Sequence, residues 1–163
     1  MSTFAEVLET IGHAPIKKRA MTNHGVLNEA YAYAKPSSFA RGMRIDLNGV
    51  TILLISGTAS IDEHGHTVHV GDFRAQLQRT FENIGKLLAA EGATWHDIVR
   101  TTCYLRDIER DYQVFNDERT AFYKQQGLDP LPASTGIQAI LCRPDLLVEI
   151  EAIAMFRRES PTE

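Results

Sequence analysis

The sequence predicts an α+β domain in which a single mixed β-sheet carries two helices packed on one face. Two observations lead to this prediction. Segments with strand-like and helix-like hydrophobic spacing follow one another in the order β-β-α-β-α-β-β, and 163 residues suit one domain with one core. Because no helix of this series is left for the second face of the sheet, we expect another subunit to cover that face.

Three regions are expected along the chain. Residues 1–35 form an N-terminal extension, residues 36–158 form the domain, and residues 159–163 form a C-terminal tail. Within the extension, residues 3–11 carry apolar side chains at helical spacing and predict a short helix. Residues 12–36 contain Pro15, Gly25 and Pro36, so this segment is expected to be irregular.

The first two strands are predicted on either side of Asn48-Gly49, a dipeptide that favours a hairpin turn because both residues tolerate positive φ. Residues 43–47 alternate in strand fashion. Residues 51–55 form a continuous apolar run that we expect to be buried on both faces and to end at Ser56-Gly57-Thr58. Further strands are predicted over residues 99–105, 134–141 and 147–156.

Two helices are predicted between these strands. The first begins after Asp72, which is a good N-cap, and repeats apolar residues at steps of four, three and four before Gly92 ends it. The second is predicted from about residue 111 to 126, where its apolar stripe stops and Gly127 follows. We expect both helices to pack on the same face of the sheet.

The composition excludes several classes of function. A net charge of −4 and a pI near 5.9 argue against a nucleic-acid-binding surface, and no apolar run is long enough to span a membrane. The N-terminus lacks the pattern of a signal peptide, so the cytoplasm is the expected location. The histidines at 64, 66 and 69 predict an exposed polar hairpin rather than a metal site, and we expect neither a metal nor a cofactor.

The last strand contains the most informative pattern. Glu149 and Glu151 are two residues apart and therefore project from the same face of an otherwise apolar strand. Burial and mutual repulsion would raise the pKa of at least one carboxyl, which could then exchange protons near neutral pH. The alternative is a charged edge strand that discourages aggregation, and the pattern alone slightly favours this alternative.

Several segments together resemble the RidA/YjgF superfamily over about residues 36–156. Each is a weak signal alone, but jointly they are specific. Phe39-Ala40-Arg41-Gly42 stands where the family has Tyr-Ser-Gln-Ala or a similar segment. Residues 54–58 match a strand ending in Ser-Gly, residues 76–84 match the first-helix signature, and residues 92–107 match the loop and strand after it. Residues 132–133 match a Pro-Ala dipeptide, and residues 148–154 match the closing strand.

The resemblance implies a RidA/chorismate-mutase-like fold and a homotrimer with three clefts between subunits. It also implies a small-molecule substrate, with hydrolysis of reactive enamines and imines to keto acids and ammonia. In that scheme Glu149 matches the family carboxylate that positions or activates water, and Ser56-Gly57 lines the cleft. Neither a nucleic acid nor a membrane is expected as a partner.

One position departs from the family pattern. The deaminases carry Pro-Ala-Arg, whose arginine grips the substrate carboxylate, whereas this chain has Ser134 in the arginine position. A hydroxyl cannot replace a bidentate guanidinium, and leaving a desolvated carboxylate unpaired costs about 2–5 kcal/mol. The usual 2-imino acid deaminase activity is therefore not expected. Another substrate would need a different anchor, such as Arg41 or Arg143, or would lack a carboxylate at that point.

A narrower resemblance leads to a second hypothesis. Residues 56–61 and 142–149 look like parts of the C-terminal half of chorismatases, in which a Cys and a Glu at this spacing line the site. Those residues would be Cys142 and Glu149. A non-catalytic metabolite-binding trimer is the third hypothesis. The predicted site has Glu149 as its catalytic residue, and its substrate-binding residues are Phe39, Arg41, Ser56, Gly57, Ser134, Thr135, Gly136, Cys142 and Arg143.

Overall fold

The structure is a computed structural model and describes residues 16–23, 27–33 and 36–157. The helix predicted at residues 3–11 and the tail at 159–163 lie outside the described residues. The strands are β1 (Lys18–Ala20), β2 (Gly42–Leu47), β3 (Val50–Ala59), β4 (Ile98–Leu105), β5 (Ala133–Gln138) and β6 (Val148–Arg157). The two long helices are α1 (Phe73–Ala90) and α2 (Ile108–Gln125), and two short 3-10 helices cover Ala30–Ala32 and Trp95–Asp97.

The six strands form one mixed sheet in the order β1-β2-β3-β6-β4-β5. Every neighbouring pair is antiparallel except β4 and β5, which are parallel and are connected through α2. The predicted α+β class with a single mixed sheet and two helices is therefore confirmed. Strand β6 lies in the middle of the sheet, so the explanation of its carboxylates as an aggregation-resistant edge is wrong.

Local sequence signals position both helices. The side chain of Asp72 accepts a hydrogen bond from the backbone N–H of Ala75 at 3.0 Å, and Gly92, with φ of 74°, follows the end of α1. Helix α2 begins three residues earlier than predicted, because Asp107 caps it by accepting from the backbone N–H of Arg110 at 3.0 Å. The hydrophobic spacing missed this polar first turn.

Strand β1 lies in the segment that was expected to be irregular. Its three residues are exposed and carry no alternation that would predict a strand. The pairing with β2 and an ion pair between Arg19 and the buried Glu91 at 2.6 Å hold it in place. Arg44 of β2 is also buried and reaches Glu91 at 3.1 Å and Asp46 at 2.7 Å. These charged groups connect the β1 edge of the sheet to the end of α1.

The core lies between the helices and one face of the sheet, with side chains such as Leu53, Ile150 and Leu77 fully buried. The opposite face is open in the single chain, where Leu54 is 40% and Met155 is 43% exposed. The expectation that residues 51–55 are buried on both faces is therefore wrong for one chain, since only alternate residues face the helices. We call the surface formed by Leu54, Glu151, Ile153, Met155 and Ile137 the open face.

Candidate active site

A cavity of about 430 Å³ lies where the second half of β3 meets the start of β6. It contains Glu149, the predicted catalytic residue, together with six of the nine predicted substrate-binding residues. These six come from three parts of the chain that only the tertiary structure brings together: Phe39, Arg41, Ser56, Gly57, Cys142 and Arg143. The cavity is thus a candidate site whose central group is a carboxyl.

Strand β3 does not end at Ser56-Gly57-Thr58 as predicted but continues to Ala59 through a β-bulge. Ile55 pairs with Ala152 of β6 and Thr58 pairs with Ile150, so Ser56 and Gly57 together face the single residue between them. Such a bulge redirects side chains and often occurs beside active sites. Here it exposes the Gly57 backbone to the cavity.

The carboxyl group of Glu149 packs directly on Gly57. A Cβ atom added to Gly57 would lie 3.0 Å from Cδ and 3.3 Å from Cγ of Glu149, and closer still to one carboxyl oxygen. Any larger residue at position 57 would therefore collide with the carboxyl. The glycine is required by this close approach, not by its backbone conformation, since its φ lies outside the left-handed region.

The surroundings of Glu149 favour its protonated form. Burial is the largest cause that raises the pKa of this carboxyl, and repulsion from Glu151 raises it further, while the positive charge of Arg143 acts in the opposite direction. Tyr104 of β4 is paired with Glu149 in the sheet register, and burial raises the pKa of its phenol. A carboxyl with a raised pKa in a cavity can serve as a general acid and then as a general base.

The second carboxylate, Glu151, also lines the cavity but lies at its boundary with the open face. It is exposed, whereas Glu149 is only partly accessible. The two side chains of β6 therefore differ in solvation although they share a face. Glu149 is therefore the more enclosed of the two carboxyls.

Arg41 forms one wall of the cavity and is 4% exposed. Its guanidinium donates from Nε and Nη2 to the carbonyl of Asn28, at 3.1 Å in each case, and from Nη2 to the hydroxyl of Tyr33. The rings of Tyr33 and Phe39 lie 4.9 and 5.3 Å from the guanidinium carbon. Burial lowers the pKa of Arg41 and raises that of Tyr33.

The loop between β5 and β6, which carries Cys142 and Arg143, is fastened to α1 by Gln76. This fully buried amide donates to the carbonyl of Asp145 at 2.8 Å and accepts from the backbone N–H of Leu147 at 2.8 Å. Arg106 holds the same loop by donating to the carbonyls of Leu146 and Arg143. These bonds position Arg143 and the start of β6 relative to the cavity.

Three predicted binding residues lie elsewhere in the chain. Ser134, Thr135 and Gly136 are on β5, the far edge strand, which β4 separates from β6. Ser134 faces α2 and accepts a hydrogen bond from Arg119 at 3.0 Å, whereas Thr135 accepts from Arg100 at 3.0 Å. The family motif placed Ser134 at the site, but within one chain two strand spacings of about 4.8 Å each separate β5 from β6.

Before β2, sequence reasoning found Phe39 and Arg41 but missed three other residues of the cavity wall. Ala30, Tyr33 and Ser37 line the cavity, and the first two belong to the segment treated as an extension. The aromatic residues at positions 31, 33 and 39 and the proline at 36 were the available signal, but they show no regular spacing. Only the folded chain places them over the end of β3.

The histidine segment around Gly65 forms a turn. Gly65 has φ of 83°, and the carboxylate of Asp62 accepts from the backbone N–H groups of His64 at 3.0 Å and His66 at 2.8 Å. Among residues 16–23, 27–33 and 36–157, no group of three or more His, Cys, Asp or Glu side chains could hold a metal ion. Nor does any helix in these ranges have the length and apolar character needed to cross a membrane.

The fold and the cavity define a class: small α+β proteins with one sheet and a carboxyl of raised pKa on the strand beside a bulge. A family model described as Endoribonuclease L-PSP matches residues 36–156, so the chain belongs to this family, the RidA/YjgF family. A curated relative, the 3-aminoacrylate deaminase RutC of Acinetobacter baylyi, is 32% identical over 103 residues, which are 63% of this chain and 78% of that protein.

Solved structures of the same family have the same fold. The Rid-family protein YyfA from Yersinia pestis, whose function is unknown, aligns with a TM-score of 0.68 at 27% identity, covering 85% of this chain and 98% of that one. The YjgF gene product of E. coli aligns with a TM-score of 0.66 at 25% identity, covering 85% and 99%.

Proposed function

We propose that this protein is a small-molecule hydrolase that acts on a reactive enamine, imine or related enol ether, with Glu149 as its acid and base. The observation that carries the proposal is the Glu149 carboxyl, which has a raised pKa and lies against the Gly57 backbone in the cavity. Membership of a family that includes a protein named as a 3-aminoacrylate deaminase supports deaminase-type chemistry.

For an enamine the steps would be as follows. Protonated Glu149 donates its proton to the carbon β to nitrogen, the C=C electrons form the C–H bond, and the nitrogen lone pair forms an iminium. The Glu149 carboxylate then takes a proton from water as the oxygen adds to the iminium carbon. The same carboxyl protonates the amino group, ammonia leaves, and the hydroxyl proton returns to Glu149 as the carbonyl forms. The enzyme ends in its starting state.

The test compares Glu149→Gln with the wild type and with Glu63→Gln, an exposed loop carboxylate, as the matched control. Ammonia release is measured for 3-aminoacrylate and for a panel of imines generated in situ. We expect Glu149→Gln to lower kcat/KM by a factor of about 10² to 10⁴, typical of general acid–base catalysis, while Glu63→Gln has no effect. Wild-type turnover by a folded Glu149→Gln protein refutes the assignment.

A homotrimer is part of the proposal. The open face presents large apolar side chains, with Leu54, Met155 and Ile137 each 40–43% exposed, and such a surface favours association. In a trimer we expect β5 of a neighbour, which carries Thr135 on the side of the open face, to reach the rim of the cavity, which would then be an intersubunit cleft. Light scattering on the eluting protein should give three times the 18.2 kDa chain mass. A monomer at micromolar concentration contradicts this part.

A chorismatase-like activity is the second candidate, because Cys142 and Glu149 line the same cavity as that hypothesis requires. It predicts pyruvate release from chorismate that is lost in Glu149→Gln. If neither chorismate nor the nitrogen compounds are turned over, and one of them still raises the Tm, the protein is a metabolite-binding module instead.

A further inference from the structure

We infer that Arg143 forms a carboxylate-binding subsite within a single chain, and that the substrate is a ring-sized acid with its carboxylate at Arg143 and its reacting atoms at Glu149. The placement of the reacting atoms at Glu149 rests on the proposed function, whereas the binding of a carboxylate at Arg143 does not. It names the substrate class and a specificity-determining residue.

The cavity contains two arginines whose charges are compensated to different extents. Arg41 and Arg143 both line it, and their like charges oppose each other, since Arg143 contributes to the lowered pKa of Arg41. In the part of the chain that the structure describes, neither guanidinium has a carboxylate within 4.0 Å. The charge of the buried Glu29 acts on Arg41 and opposes the lowering of its pKa. Arg143 shares the cavity with Glu149 and Glu151 without an ion-pair contact to either, so it is the cation that can pair with an anionic ligand.

The two arginines differ in what they can offer a ligand. Arg41 is buried and already donates to Asn28 and Tyr33, so it contributes positive potential rather than a free hydrogen-bonding edge. Arg143 is partly exposed, and its hydrogen bond within the chain runs from Nη1 to the carbonyl of Gly65. That bond orients the guanidinium and leaves donors at Nε and Nη2 for a bidentate carboxylate.

The cavity also has an acidic end. Arg143 and Glu149 both line this cavity, and the charge of Arg143 acts on the Glu149 carboxyl. A carboxylate bound at Arg143 would therefore place the adjoining atoms of the substrate toward Glu149. This arrangement suits an acid whose enamine, imine or enol-ether group is close to its carboxylate.

The remaining wall sets the size of the substrate. A volume of about 430 Å³ is in the range of cavities that hold ligands larger than a three-carbon acid. Apolar surface from Tyr33, Phe39, Ile61 and Leu146 lines it beside the charged groups. A planar ring or a chain of similar size would fill this part, whereas 3-aminoacrylate would leave it empty.

The test uses benzoate as an unreactive ring-sized acid and benzamide as its neutral analogue, with binding to the full chain measured by calorimetry. We expect the wild type to prefer benzoate, and Arg143→Gln to weaken benzoate binding at least tenfold without changing benzamide binding. Arg143→Lys should recover only part of the loss, because an ammonium lacks the bidentate fork. Arg74→Gln, which changes an exposed arginine paired with Glu118 on the helices, is the control and should bind as the wild type does.

Three outcomes overturn the inference: no measurable preference for benzoate, full benzoate affinity in Arg143→Gln, or loss of benzoate binding on changing Arg119 beside Ser134 but not on changing Arg143. The last result would assign the anion to the β5 edge. Glu149→Gln separates this test from the proposed reaction. If that variant binds benzoate in an Arg143-dependent way while the wild type turns over no substrate, the subsite survives and the proposed reaction fails.

Discussion

Gly57 is predicted to control the position of the catalytic carboxyl, and Gly57→Ala tests this directly. The new Cβ would lie 3.0 Å from Cδ of Glu149, whereas carbon atoms in contact settle at about 3.5–4.0 Å. The carboxyl must therefore retreat by about 0.5–1 Å. Because the φ of Gly57 is accessible to alanine, the backbone can remain in place and the side chain of Glu149 takes up the change.

A displacement of about 1 Å at a reacting group costs roughly a factor of 100 in rate. We therefore expect kcat/KM for ammonia release to fall about 100-fold in Gly57→Ala. Glu149→Asp shortens the acid by one methylene and should reduce activity alone, but in the Gly57→Ala background it relieves the collision. The double variant should then lose less activity than the product of the two single effects.

Thermal unfolding of all three variants is the control, since only folded proteins inform on catalysis. Wild-type kcat/KM in a folded Gly57→Ala protein refutes the close packing of Gly57 on Glu149 as a catalytic constraint. Strictly multiplicative losses in the double variant refute the steric coupling while leaving the role of Glu149 intact.

Three further outcomes follow from the charges and hydrogen bonds around the site. Because protonated Glu149 starts the proposed reaction, kcat/KM should fall as pH rises through the pKa of Glu149. Repulsion from Glu151 raises this pKa, so Glu151→Gln should move the fall to lower pH. An unchanged pH–rate profile contradicts this coupling. Gln76→Leu leaves buried backbone groups of the β5–β6 loop unpaired and should cost about 2 kcal/mol in the free energy of unfolding by urea, whereas equal stability would show that the loop is held without it. Glu91→Ala removes a buried partner of Arg44 and should cost about 3 kcal/mol in the same measurement, with a loss below 0.5 kcal/mol counting against the buried network.

Much of the fold was predictable because its signals are local. The N-cap at Asp72, the glycine that ends α1 and the Asn48-Gly49 turn each act through neighbouring backbone groups, and all three lie where the sequence predicted them. Strand β1 was not predictable, because three exposed residues become a strand only when β2 offers its edge. The early start of α2 was missed for a related reason, since its cap and first turn are polar.

The candidate site was predictable in part. The alternation of β6 placed Glu149 and Glu151 on one face, and the structure adds that Glu149 is the more enclosed of the two. The grouping of Ser134, Thr135 and Gly136 with this carboxyl is not seen within one chain, because strand order, which periodicity does not encode, inserts β4 between them.

The sequence by itself determined the class of fold, the two helices and the pair of carboxylates on the closing strand, because spacing, caps and turns depend on residues near one another in the chain. Only the tertiary structure decided that Gly57 lies under the carboxyl of Glu149, that Tyr33 and Arg41 close one wall, and that Arg143 faces the same cavity. Burial and electrostatic potential arise from residues far apart in sequence, so they exist only once the chain has folded.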